Sequence, residues 1–428
     1  MKLKINTKAF PIFLLICLVF FAWHEFFLVY NFSESVDLLL KSDNIILIIS
    51  VASLIFLSTV LILKKKFVST YSKYLKYIMS LICAIFFVMM YSFVKYPRQS
   101  LFTVFKEASV WLVPIFSLIV IFYLERGGSI QSLLECMNFF AVMWYILLIV
   151  QVFWYNQTGS FLLNFQEYFL QHYNEGDYGI RVNMHVFGNA MIIYNAICLK
   201  YDKYIKMKIW HLSALIMGIY CLMVIQQTRA LIFYLVVVVA ISFFVFSDKG
   251  IKTRIIQLTI VLVAGYTLCF TDIVGSFFDS FSINGEKAIS TSARLYALKY
   301  YMECFFDNAI FGNGFADGAK GSVYSVIEHG TSGLAYYGDM GIIGAMANIG
   351  LMTIITFIIP IIRMIKVWKN KMKYYDEKVK AVLLSFIIFF IVSSPTYFVM
   401  SGRNVLLFAI VFGIFEYINV SINRKENI

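Results

Sequence analysis

The apolar residues of this chain come in blocks of about 20, each bounded by charged segments, and that spacing decides the fold class because a bilayer core of about 30 Å needs a helix of that length. Core helices of a soluble protein are shorter and more often interrupted. Composition agrees: 61% of the 428 residues are hydrophobic and 14% are charged, with a mean hydropathy of +0.80. A soluble globular chain runs near half apolar and a quarter charged. The sequence therefore reads as an all-α polytopic integral membrane protein.

Twelve spans are expected, at 9–30, 44–63, 77–94, 101–124, 133–154, 182–199, 210–226, 229–247, 255–274, 338–362, 380–399 and 402–420. No soluble domain is left over, so 1–428 reads as a single transmembrane domain whose longest connections are 275–337 and 155–181. Lys2, Lys4 and Lys8 before the first span resemble the basic start of a signal peptide. The apolar run is too long for one, and no small-residue cleavage site follows it, so the span is expected to be retained.

Positive charge sets the orientation, since Lys and Arg are held on the cytoplasmic side. Most of the 36 Lys and Arg fall in the N-terminal segment, 64–76, 125–132, 200–209, 248–254, 363–380 and the C-terminal segment. Both termini are thus expected in the cytoplasm, with 275–337 as a long outer loop. The net charge of +12 is then a topology signal rather than a nucleic-acid footprint, and it suits an anionic membrane surface. Of the seven cysteines, all but Cys304 fall within expected spans. Neither a disulfide framework nor a cysteine metal site is expected, and the cysteines read as packing residues.

The outer loop carries a helical pattern. Ser290, Thr291 and Ser292 offer an N-cap, and Leu295, Leu298, Met302 and Phe305 recur at helical spacing, with Lys299 and Glu303 off that stripe. The pattern fits a short amphipathic helix on the membrane surface or over the bundle mouth, and equally an ordinary surface helix. Phe311-Gly312-Asn313-Gly314 is expected to end it, because glycine permits the positive φ of a tight turn.

Soluble-enzyme motifs are missing. The sequence has no G-x-x-x-x-G-K-[ST], no H-E-x-x-H, no cysteine pair at zinc spacing and no cytoplasmic D-x-D. ATP-driven pumping, metal catalysis and a cytoplasmic sugar-nucleotide donor are disfavoured, and no cofactor is expected. What remains are ionisable residues near span ends, which are costly there unless partnered or functional. On the expected outer side stand His24, Glu25, Lys106, Glu107, Arg181, His185, Arg229, Asp272, Arg294, His329, Asp339 and Arg403. Few comparable charges fall at the midplane or inner half, where His211 and Glu416 lie near inner ends. An open site on the outer leaflet fits this asymmetry better than an alternating-access carrier, which needs polar groups at mid-depth. Several arginines converging from different spans would grip phosphate oxygens through their planar forks; each alone would simply snorkel to headgroups. His329 could deprotonate a hydroxyl or serve as a structural hydrogen-bonder.

The outer loop reads Ser292-Ala293-Arg294, then Ala309-Ile310-Phe311-Gly312-Asn313-Gly314-Phe315, then His329, then Leu334-Ala335-Tyr336-Tyr337-Gly338-Asp339-Met340-Gly341-Ile342-Ile343-Gly344. Through these segments residues 292–344 resemble the bacterial O-antigen ligase and polymerase superfamily. Upstream, Gln227-Thr228-Arg229-Ala230 is similar to the family's Thr-x-Ser-Arg-Gly, and Arg181 with Asn189 to its earlier arginine segment. The sequence departs from the family at Gly330 for Asn, Ala309 for Pro and Asp339 for Glu, and no Trp follows Arg294.

The resemblance implies a fold like that of the multispanning lipid-sugar (GT-C-like) transferases, and metal-independent, inverting glycosyl transfer on the outer face of a bacterial inner membrane. Donor and acceptor would be glycans on undecaprenyl pyrophosphate, with a chain-length regulator protein as a further partner. Arg229 and Arg294 would stabilise the pyrophosphate leaving group and His329 would orient or deprotonate the acceptor. Arg181, His185, Asp339 and Arg403 would bind substrate. Within the superfamily a polymerase of lipid-linked repeats is the first expectation and a ligase to lipid A-core the second. A flippase of lipid-linked oligosaccharide is the rival from another class.

Overall fold

The computed structural model describes residues 6–24, 26, 42–160, 162, 184–226, 228–246, 288–318, 322–330 and 337–426. Among these the secondary structure is helical, with no strand. In order, the helices are α1 (Phe10–Trp23), α2 (Ser42–Leu63), α3 (Lys65–Thr70), α4 (Ser72–Lys95), α5 (Leu101–Leu112), α6 (Ser117–Glu125), α7 (Ile130–Thr158), α8 (His185–Tyr201), α9 (Ile205–Tyr220) and α10 (Arg229–Val245). There follow α11 (Ala288–Asp307), α12 (Ser325–His329), α13 (Gly341–Ile349), α14 (Ile359–Lys371), α15 (Glu377–Ser393) and α16 (Val405–Glu426). This suits a bilayer, where backbone polar groups must be satisfied within the helix itself.

Six helices are long and apolar enough to cross a membrane: Asn44–Leu63, Ser72–Lys95, Leu101–Glu125, Ile130–Thr158, Ile205–Gln226 and Val405–Ile422. They fall on six of the twelve expected spans. Helices α8 and α15 occupy two more but hold only 17 residues each, and α1 and Ala230–Val245 are shorter apolar helices on another two. The expected span at 255–274 lies outside the described residues, as does the loop between 275 and 287. The span expected at 338–362 is divided. Helix α13 stops at Gly350, where φ is +59°, and the chain resumes helix through a π turn at Ile354–Ile358. A Cβ on Gly350 would stand 2.5 Å from the Ala309 carbonyl oxygen. Both the backbone angle and the close approach therefore require glycine, and hydropathy alone does not register the break.

Burial is distributed as membrane packing demands. The apolar window of Leu101–Glu125 is 89% buried and that of Val405–Ile422 is 78% buried, against 39% for Asn44–Leu63, Ser72–Lys95 and Ile205–Gln226. The first pair is shielded by the rest. The others turn side chains such as Ile62, Phe86, Phe87, Val94 and Ile216 outward. Small residues allow the central contact: a Cβ on Gly413 would meet the Ser117 carbonyl oxygen at 2.7 Å. Pro114 breaks the α-helical ladder of the same span into the 3-10 turn Val113–Phe116. Ser117 then donates to the Pro114 carbonyl at 2.6 Å, so that acceptor stays satisfied. Ser100 and Ser129 cap α5 and α7 by accepting from Thr103 N and Ser132 N.

Tight connections sort the chain into two ends. One end carries basic segments near 64–76, 126, 200–208 and 363–380; there Tyr71 meets Glu125, and Lys378 meets Asp202. The opposite end carries 96–100, 308–318 and 394–404, joined by Tyr96 to Asn313 and by Tyr234 to Thr396.

Candidate functional site

The segment expected as a loop at the second end is built as a docked platform. Its turn is fixed from two sides. Asn313 N and Gly314 N donate to the carbonyls of Ala347 and Asn348 at 2.7 Å each, which satisfies acceptors left open where α13 ends. On the other side Tyr96 OH donates to Asn313 O at 2.6 Å, Phe315 N donates to Ser92 Oγ at 2.8 Å, and Gln99 Nε2 donates to Phe315 O at 2.8 Å. Gly312 and Gly314 take the positive φ that the sequence pattern required, +63° and +78°. A Cβ on Gly312 would sit 2.5 Å from Ala347 O, so Gly312 and Gly350 are the two small residues that let the turn and α13 meet.

Helix α11 lies on α13 with a face the apolar stripe did not announce. Ala297 and Tyr301 are buried against Met340 and Ala347, with Tyr296, Tyr300, Cys304 and Ile343 around them. Leu295 and Leu298, expected on the packing stripe, are exposed. The helix also begins at Ala288, so Ser290, Thr291 and Ser292 fall within its first turns rather than ahead of it. Tyr300 OH reaches over to the Ile327 carbonyl at 3.0 Å and holds α12 in place. Burial pushes the Tyr96 and Tyr300 phenols well above their ordinary pKa, so both remain donors.

The sequence-predicted residues divide into two groups. Arg294 is exposed on α11, one turn before Ala297. His329 ends α12, and its Nε2 lies 3.3 Å from the Gly318 carbonyl oxygen. A carbonyl only accepts, so Nε2 donates there. Asp339 lies in the 3-10 turn Tyr337–Met340, which packs on α11. The second group stands at helix starts: His185 opens α8, Arg229 opens α10, and the turn Gly402–Asn404 with Arg403 touches α8. Helices α8 and α10 pack together. The segment 394–396 ties the groups, since Ile342 N donates to Ser394 O at 2.7 Å while Thr396 meets Tyr234 of α10. The side chains of His185, Arg229, Asp339 and Arg403, and the whole of Arg181, lie outside the described residues.

Sequence reasoning missed a second polar centre at the basic end. Lys378 Nζ is 2.8 Å from Asp202 Oδ1 and 3.7 Å from Glu135 Oε1, and His211 Nε2 is 3.0 Å from Asp202 Oδ2. Behind it, His211 Nδ1 is 2.7 Å from Asn195 Oδ1, and Asn195 Nδ2 donates to Asn138 Oδ1 at 2.6 Å. Glu135, Asn138, Asn195 and His211 are all buried. One or two residues from each segment give no local motif; only the isolated polar positions within apolar runs could have flagged them. A second buried pair is bidentate: Arg363 Nε and a terminal guanidinium nitrogen donate to the two Glu416 oxygens at 2.6 and 2.7 Å. It joins α14 to α16.

No protein-family model matches the chain, and no curated protein matches it at a significant level.

Proposed function

We propose that this protein is a membrane glycosyltransferase that polymerises oligosaccharide repeats carried on undecaprenyl pyrophosphate at the outer face of a bacterial inner membrane. The observation that carries the reading is the platform. A segment resembling the superfamily's motif is pinned to α13 by backbone hydrogen bonds and to Ser92, Tyr96 and Gln99 by side-chain ones rather than left loose. It holds Arg294 exposed and His329 with a defined donor nitrogen. On this reading the platform end faces away from the cytoplasm, and the glycan pyrophosphate lies between Arg294 and Arg229. Positive charge there meets the negative charge that develops as the diphosphate leaves, with no metal required. His329 takes the acceptor hydroxyl proton, while Arg181, His185, Asp339 and Arg403 hold the sugars and phosphates. A ligase acting on lipid A-core would use the same groups with another acceptor.

A transporter of lipid-linked oligosaccharide is the second reading. The Glu135–Asp202–His211–Lys378 centre is its support, since it puts charges between helices, but it stands at the basic end and not at the mid-depth of a carrier site. Substituting Arg294→Ala separates the two. A polymerase loses chain growth while single repeats still reach the outer face; inward accumulation of repeats would instead support transport. An unchanged glycan ladder in this variant would remove the transferase role of Arg294.

A further inference from the structure

The buried centre at the basic end has a charge problem that its own hydrogen bonds make explicit. Asn195 Nδ2 lies 2.7 Å from the Met191 carbonyl oxygen, which can only accept. The amide orientation is thereby fixed, with Oδ1 toward His211. His211 Nδ1 must carry a proton to donate to that oxygen at 2.7 Å. In the neutral ring Nε2 is then a lone pair, and it faces Asp202 Oδ2 at 3.0 Å and Glu135 Oε1 at 4.0 Å on a side chain that is 0% exposed. A lone pair against two carboxylates is repulsive, and Lys378 balances only one of them. A further cation belongs between these groups.

Geometry selects the kind of cation. The His211 Nε2–Asp202 Oδ2 approach is close, yet it lacks the alignment of a hydrogen bond, and Glu135 Oε2 is likewise without one among the described residues. A shared metal ion about 2.0–2.2 Å from a nitrogen and an oxygen leaves those two atoms about 3.3 Å apart at a tetrahedral angle, near the spacing here, with the lone pair aimed at the ion. Cys198 Sγ completes the set: the ligand atoms of Cys198, Asp202 and His211 all lie within 4.8 Å of one another. Lys378 takes the other Asp202 oxygen and leaves Oδ2 available. The contact from His211 Nδ1 to Asn195 is the outer support that orients a metal-bound imidazole.

We infer that Cys198, Asp202 and His211 form a structural binding site for a zinc-class divalent cation that joins α8 and α9, with the Glu135 carboxylate of α7 beside it. Binding releases the Cys198 proton to solvent. The thiolate and two carboxylates are then neutralised by the ion and Lys378 together. Thiolate, imidazole and carboxylate donors suit Zn2+ over Mg2+ or Ca2+. The three ligands meet at the junction of α8 and α9 with His211 fully buried, so the role is structural rather than catalytic. This departs from the sequence-based expectation of no metal, and it is independent of the proposed transferase site at the opposite end.

The test is the metal content of the full chain purified in detergent without added chelator, followed by Co2+ exchange. About one Zn2+ per chain is expected, since the three ligand atoms form a single cluster. Co2+ should give a thiolate charge-transfer band that Cys198→Ser abolishes, while Cys304→Ser, in α11, retains it. Chelation should lower Tm, and added Zn2+ should restore it. These wild-type measurements stand even if His211→Gln fails to fold. Absence of bound metal in the wild type, with no Zn2+ taken up on titration, would overturn the assignment and leave an imidazolium as the balancing charge. A Co2+ spectrum unaltered by Cys198→Ser would overturn it too.

Discussion

Placing a methyl group on Gly312 tests whether the platform is as tightly docked as its hydrogen bonds imply. Alanine at φ +63° costs about 1–2 kcal/mol from backbone sterics alone. Its Cβ would stand 2.5 Å from Ala347 O, so the turn must withdraw from α13. That displacement strains two backbone bonds of 2.7 Å, from Asn313 and Gly314, each worth about 1 kcal/mol. The total, about 3 kcal/mol, predicts a fall in Tm on the order of 3–6 °C in detergent, allowing for a smaller shift per kilocalorie in a long chain. Gly350→Ala pushes the same junction from the other side, with its Cβ 2.5 Å from Ala309 O. Because both break one contact, the double variant should lose clearly less than the two single losses combined. Under the proposed function both single variants also shorten surface glycan while protein abundance holds. A Gly312→Ala protein with wild-type Tm and wild-type chain length would refute the docking argument.

Two further outcomes follow from the side-chain geometry. Arg363→Ala strands the buried Glu416 carboxylate and should destabilise by about 3 kcal/mol, the lower end for a broken buried pair because Arg363 is 25% exposed. Replacing both partners with Met and Leu should recover most of that loss in a detergent melting curve, and failure to recover would mean that the pair itself specifies the helix arrangement. His329→Gln can keep a donor toward Gly318 O but supplies no base; glycan chain growth retained in Gln and lost in Ala would make His329 a structural hydrogen-bonder, whereas loss in both marks it as the base.

Much of the bundle was legible in the sequence, and the reason is physical. Helices such as Asn44–Leu63 and Ile130–Thr158 must be apolar over a bilayer thickness, and hydropathy records that directly. What hydropathy does not record is which face packs. In α11 the periodic leucines face outward, and Ala297 and Tyr301 make the contact, because close approach rewards small residues and offset rings over bulk apolarity. The division of 338–362 at Gly350 was hidden for a related cause: a single glycine in an apolar run looks permissive until its φ is known. The turn at Gly312 and Gly314 was readable because two glycines that close together have few other uses. The centre at Glu135, Asp202, His211 and Lys378 was not. Its members are distant in sequence, and the reading assigned ionisable groups chiefly to the opposite side.

The burial of Val405–Ile422 against Leu101–Glu125 carries a consequence for biogenesis. This helix follows Leu101–Glu125 in the chain, so the Ser117 backbone that receives Gly413 gains that partner only once residue 413 has been made. A nascent chain interrupted before residue 405 would lack the helix that packs on α6.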